Sequence, residues 1–240
     1  MTYRVGGLWG RLGLSRTANI KAYYQFDGDI TDSGPGGLDL TKVQGTEQYT
    51  QVAPGIIGAH FDLATSYKEG TGAAALQITG ALTIHMLIRW DDAPESNAFM
   101  VAHLSDSVSG AEADNALYVL GIDSTTNRYR YYHEQGAGTN EDTNGAADFD
   151  DFVATYGVPH LWTLTRDTAG TDVQVYIDGK PFMSFAPSTA PTGGGNGWLK
   201  IGAWKSASLR FRGALAEVQI LNTELTAAQV LVDAQRVMPV

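Results

Sequence analysis

The sequence predicts an all-β fold, a two-sheet antiparallel jelly-roll sandwich with a short C-terminal helix and an extended N-terminal arm. Three observations lead to it. Short stretches of alternating apolar and polar residues recur along the chain, separated by clusters of Gly, Pro, Asp and Asn. The 240 residues suit one large sandwich, and no second domain or internal repeat is visible. There are no cysteines, so the fold stands on a core and not on disulfide staples.

Residues 1–20 form the arm. Gly6, Gly7, Gly10 and Gly13 break any helical or strand period, yet Leu8, Trp9, Leu12 and Leu14 are apolar anchors, and Arg4, Arg11 and Arg16 add charge. A solvated tail has little use for such anchors, so the arm is expected to dock on a partner and order as it binds. The domain proper, residues 21–240, is expected to carry strands at Lys21–Phe26, Leu38–Thr41, Ala59–Leu63, Ala75–Ile78, Leu82–Trp90, Phe99–Leu104, Ala116–Ile122, Tyr129–Glu134, Leu161–Arg166, Asp172–Asp178, Phe182–Phe185, Leu199–Ala203 and Leu209–Leu221. In Leu82–Trp90 the period of two puts Leu82, Ile84, Met86, Ile88 and Trp90 on one face, which marks a central strand. Thr139–Phe152, with five acids, and the Gly- and Pro-rich Pro187–Gly197 are expected as loops.

The closing stretch carries the clearest local signal. Strict alternation over Leu209–Leu221 groups Ala214, Ala216, Val218 and Ile220 on one face and Leu215, Glu217, Gln219 and Leu221 on the other. Thr226 and Gln229 then have capping-box spacing, and Ala227, Val230, Leu231 and Ala234 follow at helical spacing.

These segments resemble the laminin G-like domains of the concanavalin A-like jelly-roll superfamily. The resemblance rests on the Y-x-D-G turn in Val175–Phe182, on Phe211, Gly213, Glu217, Val218, Ile220, Asn222, Leu225 and Thr226 of the closing strand, on Tyr23–Gly34 and on Leu82–Trp90. It covers residues 21–237 and implies the jelly-roll fold. Ala216 stands where that family has Asp, so no role is carried over for that carboxylate. Function lies in sites and not in the fold, so the resemblance leaves lectin, receptor, hydrolase and virion roles open.

Charge narrows them. The formal net charge is −10, with Arg4, Arg11, Arg16 and Lys21 in a start that has no acid, and 12 basic against 26 acidic residues, or −14, in the remainder. An acidic body repels phosphate backbones, so nucleic acid is not an expected partner. No apolar run reaches the length of a signal-peptide core or a membrane span, so neither export by that route nor membrane insertion is expected. Release by phage lysis, and a location in the virion, fit that pattern.

Chemistry narrows them further. Glycoside hydrolysis needs two carboxylates about 5–9.5 Å apart, and no strand carries the E-x-D-x-x-E alternation: Glu217 is alone in its strand and Glu112 and Asp114 precede an apolar one. His60, His85, His103, His133 and His160 are scattered singly, without zinc-site spacing, and each is expected to be structural. No cofactor is required. Calcium is the ion the sequence would accommodate, through Asp142, Asp148, Asp150 and Asp151 of the acidic loop, or through Asp27, Asp29 and Asp32 near the first strand; the alternative is a solvated acidic loop. For a glycan, Tyr129, Tyr131 and His133 share one face of a strand and, with Trp204, offer stacking rings. The expectation is therefore a non-enzymatic virion structural or decoration protein that self-associates and docks to capsid or tail subunits through its arm, with a carbohydrate-binding adhesin module as the alternative.

Overall fold

A computed structural model describes residues 12, 18–42, 48–61, 68–70, 74–92, 98–104, 116–123, 128–134, 140–148, 156–192, 197–202 and 211–238. The strands are β1 (Ile20–Gln25), β2 (Leu40–Lys42), β3 (Tyr49–Ala53), β4 (Ile56–Phe61), β5 (Lys68–Gly70), β6 (Leu82–Trp90), β7 (Ala98–Leu104), β8 (Tyr118–Asp123), β9 (Arg128–Glu134), β10 (Asn140–Asp148), β11 (Pro159–Arg166), β12 (Val173–Ile177), β13 (Lys180–Phe185), β14 (Trp198–Ile201) and β15 (Gly213–Leu221), with helix α1 at Ala227–Val237. They form two antiparallel sheets. The first runs β13-β12-β11-β6-β15-β4-β3, with β1 also on β15, and the second runs β10-β9-β8-β7-β14-β5-β2. This is the expected sandwich.

Four elements differ from expectation. Ala75–Ile78 is no strand: Ala74–Leu76 forms a 3-10 turn, since alanines lack the branched side chains that favour the pleat. The strands β3 and β5 are additional to those the sequence predicts. The acidic stretch expected as a loop is largely β10, an edge strand paired with β9, with Asp142 opposite Tyr132 and Asp148 opposite Arg128. Polar composition hid it, because an edge strand carries charge without cost to a core.

The core lies between the sheets, and β6 is central as predicted, flanked by β11 and β15. Leu82, Ile84, Met86, Ile88 and Trp90 all point inward. In β15 a bulge overturns simple alternation. Leu215 pairs with Ile88 and Glu217 with Leu87, so Ala216 is an extra residue. The slip puts Leu215, Val218 and Ile220 inward and leaves Ala214, Ala216 and Leu221 on the outer face. Gly213, from the motif ahead of that bulge, has φ +156°, and a Cβ there would stand 2.1 Å from the Arg89 carbonyl oxygen.

The outer face of the first sheet is also apolar, through Ile20, Tyr23, Leu87, Leu161 and Leu221, and needs cover. Helix α1 supplies part of it. Both capping-box bonds form, Gln229 N–H to Thr226 Oγ1 at 3.4 Å and Thr226 N–H to Gln229 Oε1 at 2.9 Å, and Val230, Ala234 and Val237 are buried. Each buried valine contributes about 1.5 kcal/mol or more. The helix rests on the Y-x-D-G turn, where Asp178 and Gly179 adopt φ 53° and 77° in a two-residue hairpin joining β12 to β13. A Cβ at Gly179 would lie 2.9 Å from Leu231 Cα.

Leu12 supplies another part. It is 6% exposed within this outer cluster, and its N–H donates to Glu217 Oε2 at 2.9 Å. This corrects the reading of Leu12 as an anchor for a partner: the outer face of its own sheet takes it. Arg4, Leu8, Trp9, Arg11, Leu14 and Arg16 lie outside the described residues.

Candidate functional site

The tyrosines expected to stack a sugar are core residues. Tyr129 and Tyr131 are 0% exposed; the Tyr129 ring lies 5.1 Å from that of Trp162 and 5.4 Å from that of Phe182, and Tyr131 lies 5.8 Å from Phe185. The shared face read from alternation is real, but it is the face between the sheets, and no sugar reaches it. His133 is buried beside them, and on the opposite face Tyr132 is 5% exposed. Trp204, Asp150 and Asp151 lie outside the described residues. Among the described residues no three His, Asp or Glu side chains gather in a group fit for a metal ion. Asp32, considered for such an ion, instead accepts the N–H groups of Tyr23, Gly34 and Leu38 at 2.8 Å each, which closes the turn after β1.

What these buried groups do is hold a loop. Arg166, at the end of β11, lies wholly inside and donates from Nε to the Gly80 carbonyl at 2.9 Å, from Nη2 to Ile78 at 2.5 Å, and from Nη1 to Leu117 at 2.7 Å and the Tyr131 hydroxyl at 3.0 Å. A buried cation is tolerated only when its donors are satisfied, and here carbonyl and hydroxyl oxygens do so. The Tyr131 hydroxyl is 3.3 Å from His133 Nδ1, and His133 Nε2 is 2.9 Å from the Thr189 carbonyl. A carbonyl only accepts, so Nε2 carries the proton and Nδ1 accepts from Tyr131. Burial raises the Tyr118 phenol above its ordinary value, and its hydroxyl donates to Leu76 O at 3.3 Å. The carbonyls of residues 76, 78 and 80 are thus all tied inward, and the segment that bears them is fixed.

That segment walls an open cleft of about 410 Å³ at one end of the sandwich. Lys21 of β1 and Asn222, just past β15, form one side, and Ala74, Ala75, Gln77, Ile78, Thr79, Gly80 and Ala81 form the other. The cleft offers an ammonium, two amides and a hydroxyl over methyl groups. No local pattern marks it, because its polar residues are far apart in the chain and carry no motif. A second groove of about 390 Å³, along the β3–β4 hairpin, is lined by Tyr49, Thr50, Gln51, Gly55, Ile56 and Ile57 and is mainly apolar.

Among the described residues, no side chain lining either cleft is a carboxylate or a histidine. One set of residues does have the order of a nucleophilic triad: Asp233 Oδ2 lies 3.5 Å from His85 Nε2, and His85 Nδ1 lies 2.8 Å from Thr163 Oγ1. Thr163 is 0% exposed, however, so no acyl group can reach its hydroxyl. The set fastens α1 to the sheet. His60 with Asp91 at 3.0 Å and His160 with Asp178 at 2.6 Å are structural pairs of the expected kind. His103 is buried with neither ring nitrogen hydrogen-bonded, and burial lowers its pKa to about 4.

Comparison with known proteins agrees with this architecture. A family model described as the concanavalin A-like lectin/glucanases superfamily matches residues 64–231. No curated protein matches by sequence. Among solved structures, the binding domain of Paraclostridial Mosquitocidal Protein 1 superimposes with a TM-score of 0.68 at 13% identity, over 93% of this chain and 52% of that one. Domain 4 of the extracellular arabinanase AbnA from Geobacillus stearothermophilus, in complex with arabinotriose, gives 0.61 at 18% identity over 90% and 98%. A botulinum neurotoxin type C structure, described as dependent on two ganglioside molecules for cell entry, gives 0.59 at 14% over 92% and 52%. The chain spans about half the length of the toxin chains. At these identities the likeness is one of fold.

Proposed function

Since the chain belongs to the concanavalin A-like lectin/glucanase superfamily, we propose that it is a non-catalytic module that recognises a glycan in the cleft between Lys21, Asn222 and the 77–81 segment. The observation that carries the proposal is the chemistry of that cleft. Sugars present hydroxyls that need donors and acceptors, together with C–H faces that are apolar. The amides of Gln77 and Asn222, the Thr79 hydroxyl and the Lys21 ammonium meet the first need, and the methyls of Ala74 and Ala75, both exposed, meet the second. The volume falls within the range of small-ligand pockets, about 300–1,000 Å³. Arg166 holds one wall rigid, which spares binding the cost of ordering it. The arabinotriose complex of the AbnA domain and the gangliosides named for entry of botulinum neurotoxin type C support a glycan ligand here, and the lack of a carboxylate or histidine among the described residues of the cleft lining supports binding without turnover.

A glycan array probed with the whole chain tests this, followed by calorimetric titration of any saccharide retained. Asn222→Ala and Gln77→Ala should each weaken that saccharide about threefold to tenfold, the worth of one neutral hydrogen bond, with melting unchanged. An array without hits, or hits indifferent to both variants, would dismiss the cleft as a glycan site. Incorporation into a virus particle through residues 1–20 is the second reading. It keeps its sequence support in Trp9 and the arginines, while Leu12 is engaged by its own sheet.

A further inference from the structure

We infer that the glycan taken by this cleft is acidic, with its anionic group at Lys21 and its hydroxyls at Gln77 and Asn222; this rests on the glycan-recognition reading of the same cleft. Among the described residues of the lining, Lys21 is the one that is ionisable. Its ammonium has no ion-pair partner among the described residues, in a chain of net charge −10 where cations readily find acids. Arg89, Arg212 and Arg236 do find them, at 2.8 Å from Asp91, 3.2 Å from Asp92 and 3.4 Å from Asp233. An unpaired cation set beside two amides and a hydroxyl is a donor-rich pocket for a carboxylate or sulfate on a polyhydroxylated ring.

The surroundings also give the ligand a direction. Two residues beyond Asn222 lies Glu224, whose carboxyl is pushed above its ordinary value by burial and by the charges of Asp167 and Asp172. A further anion beside these three carboxyls is unwelcome, so the ligand's charge belongs at the Lys21 end and its neutral hydroxyls at the Asn222 end.

The test uses the whole chain on an array that pairs uronate oligosaccharides with their carboxyl-reduced counterparts and sulfated oligosaccharides with their desulfated ones. Wild type should prefer the acidic member of a pair by roughly tenfold at low ionic strength, as expected for one charge-assisted hydrogen bond. The uronate and sulfate arms tell which acid is meant, and inorganic sulfate added as competitor shows whether the anion alone suffices. Lys21→Gln should bring the ratio within a pair close to one, and Lys21→Arg should preserve it. If Lys21→Gln does not fold, salt takes its place, since the preference in wild type should shrink in about 0.3 M salt. Equal binding of both members, or a preference that survives Lys21→Gln or raised salt, would overturn the inference and leave glycan recognition standing. Retention of no glycan in any arm would overturn both.

Discussion

The guanidinium of Arg166 and the hydroxyl of Tyr131 meet 3.0 Å apart in the middle of the sandwich, joining β11 of one sheet to β9 of the other. The same guanidinium holds the carbonyls of Ile78 and Gly80, so the inter-sheet core and the cleft wall share one cation. Truncating it should be costly. Arg166→Met leaves several buried acceptors without donors, which should lower stability by about 3 kcal/mol. For a domain of this size that is a fall in melting temperature of roughly 6–12 °C. Arg166→Lys, which reaches fewer of the oxygens, should fall between. Melting of Arg166→Met at the wild-type temperature would show that the network is dispensable.

His103 predicts a pH dependence of known sign. Its pKa is about 4 when folded and about 6.5 when unfolded, so below neutrality the unfolded chain binds the proton more readily. The corresponding stability is complete above about pH 6.5 and is lost as the pH falls towards 4, by roughly 3 kcal/mol over that window. His103→Leu removes the group, whose ring nitrogens make no hydrogen bond and whose ring lies 5.2 Å from that of Tyr118. Urea midpoints measured from pH 7 to pH 4 should fall less steeply in this variant, and parallel curves for the two proteins would refute the assignment.

Leu12 should matter to folding and not only to assembly. An arm that served assembly alone could be removed without effect on melting, but Leu12 is buried in the outer cluster and its N–H reaches Glu217. Leu12→Ala should cost about 2 kcal/mol or more. Glu217→Ala should cost a similar amount, because it strands both that N–H and the Tyr23 hydroxyl, 3.0 Å from the same oxygen. Chemical denaturation decides, and an unchanged midpoint for Leu12→Ala would restore the reading of this residue as an anchor for a partner.

Gly213→Ala should be among the worst single-methyl additions in the chain. Its Cβ would stand 2.1 Å from the Arg89 oxygen and 2.7 Å from Phe211 Cζ, at a φ that L residues rarely adopt. A loss of about 2 kcal/mol or more is expected. A stable variant would mean that β15 and β6 can separate there without penalty.

Period and punctuation in the sequence determined the sandwich, the central place of Leu82–Trp90 and the capped helix at Thr226, because each of these is written in residues close together in the chain, and the family resemblance supplied the Y-x-D-G turn. Tertiary structure alone decided which face of each strand is inside. In a two-sheet sandwich, alternation separates the faces of Tyr129–His133 but cannot say which one meets the second sheet. In β15, one bulged residue, Ala216, reverses the faces on either side of it, and no local signal marks a bulge. The cleft was equally hidden. Lys21, Gln77 and Asn222 lie far apart in sequence and come together only because β1 pairs with β15 and because Arg166, itself without a motif, draws the 78–80 carbonyls inward.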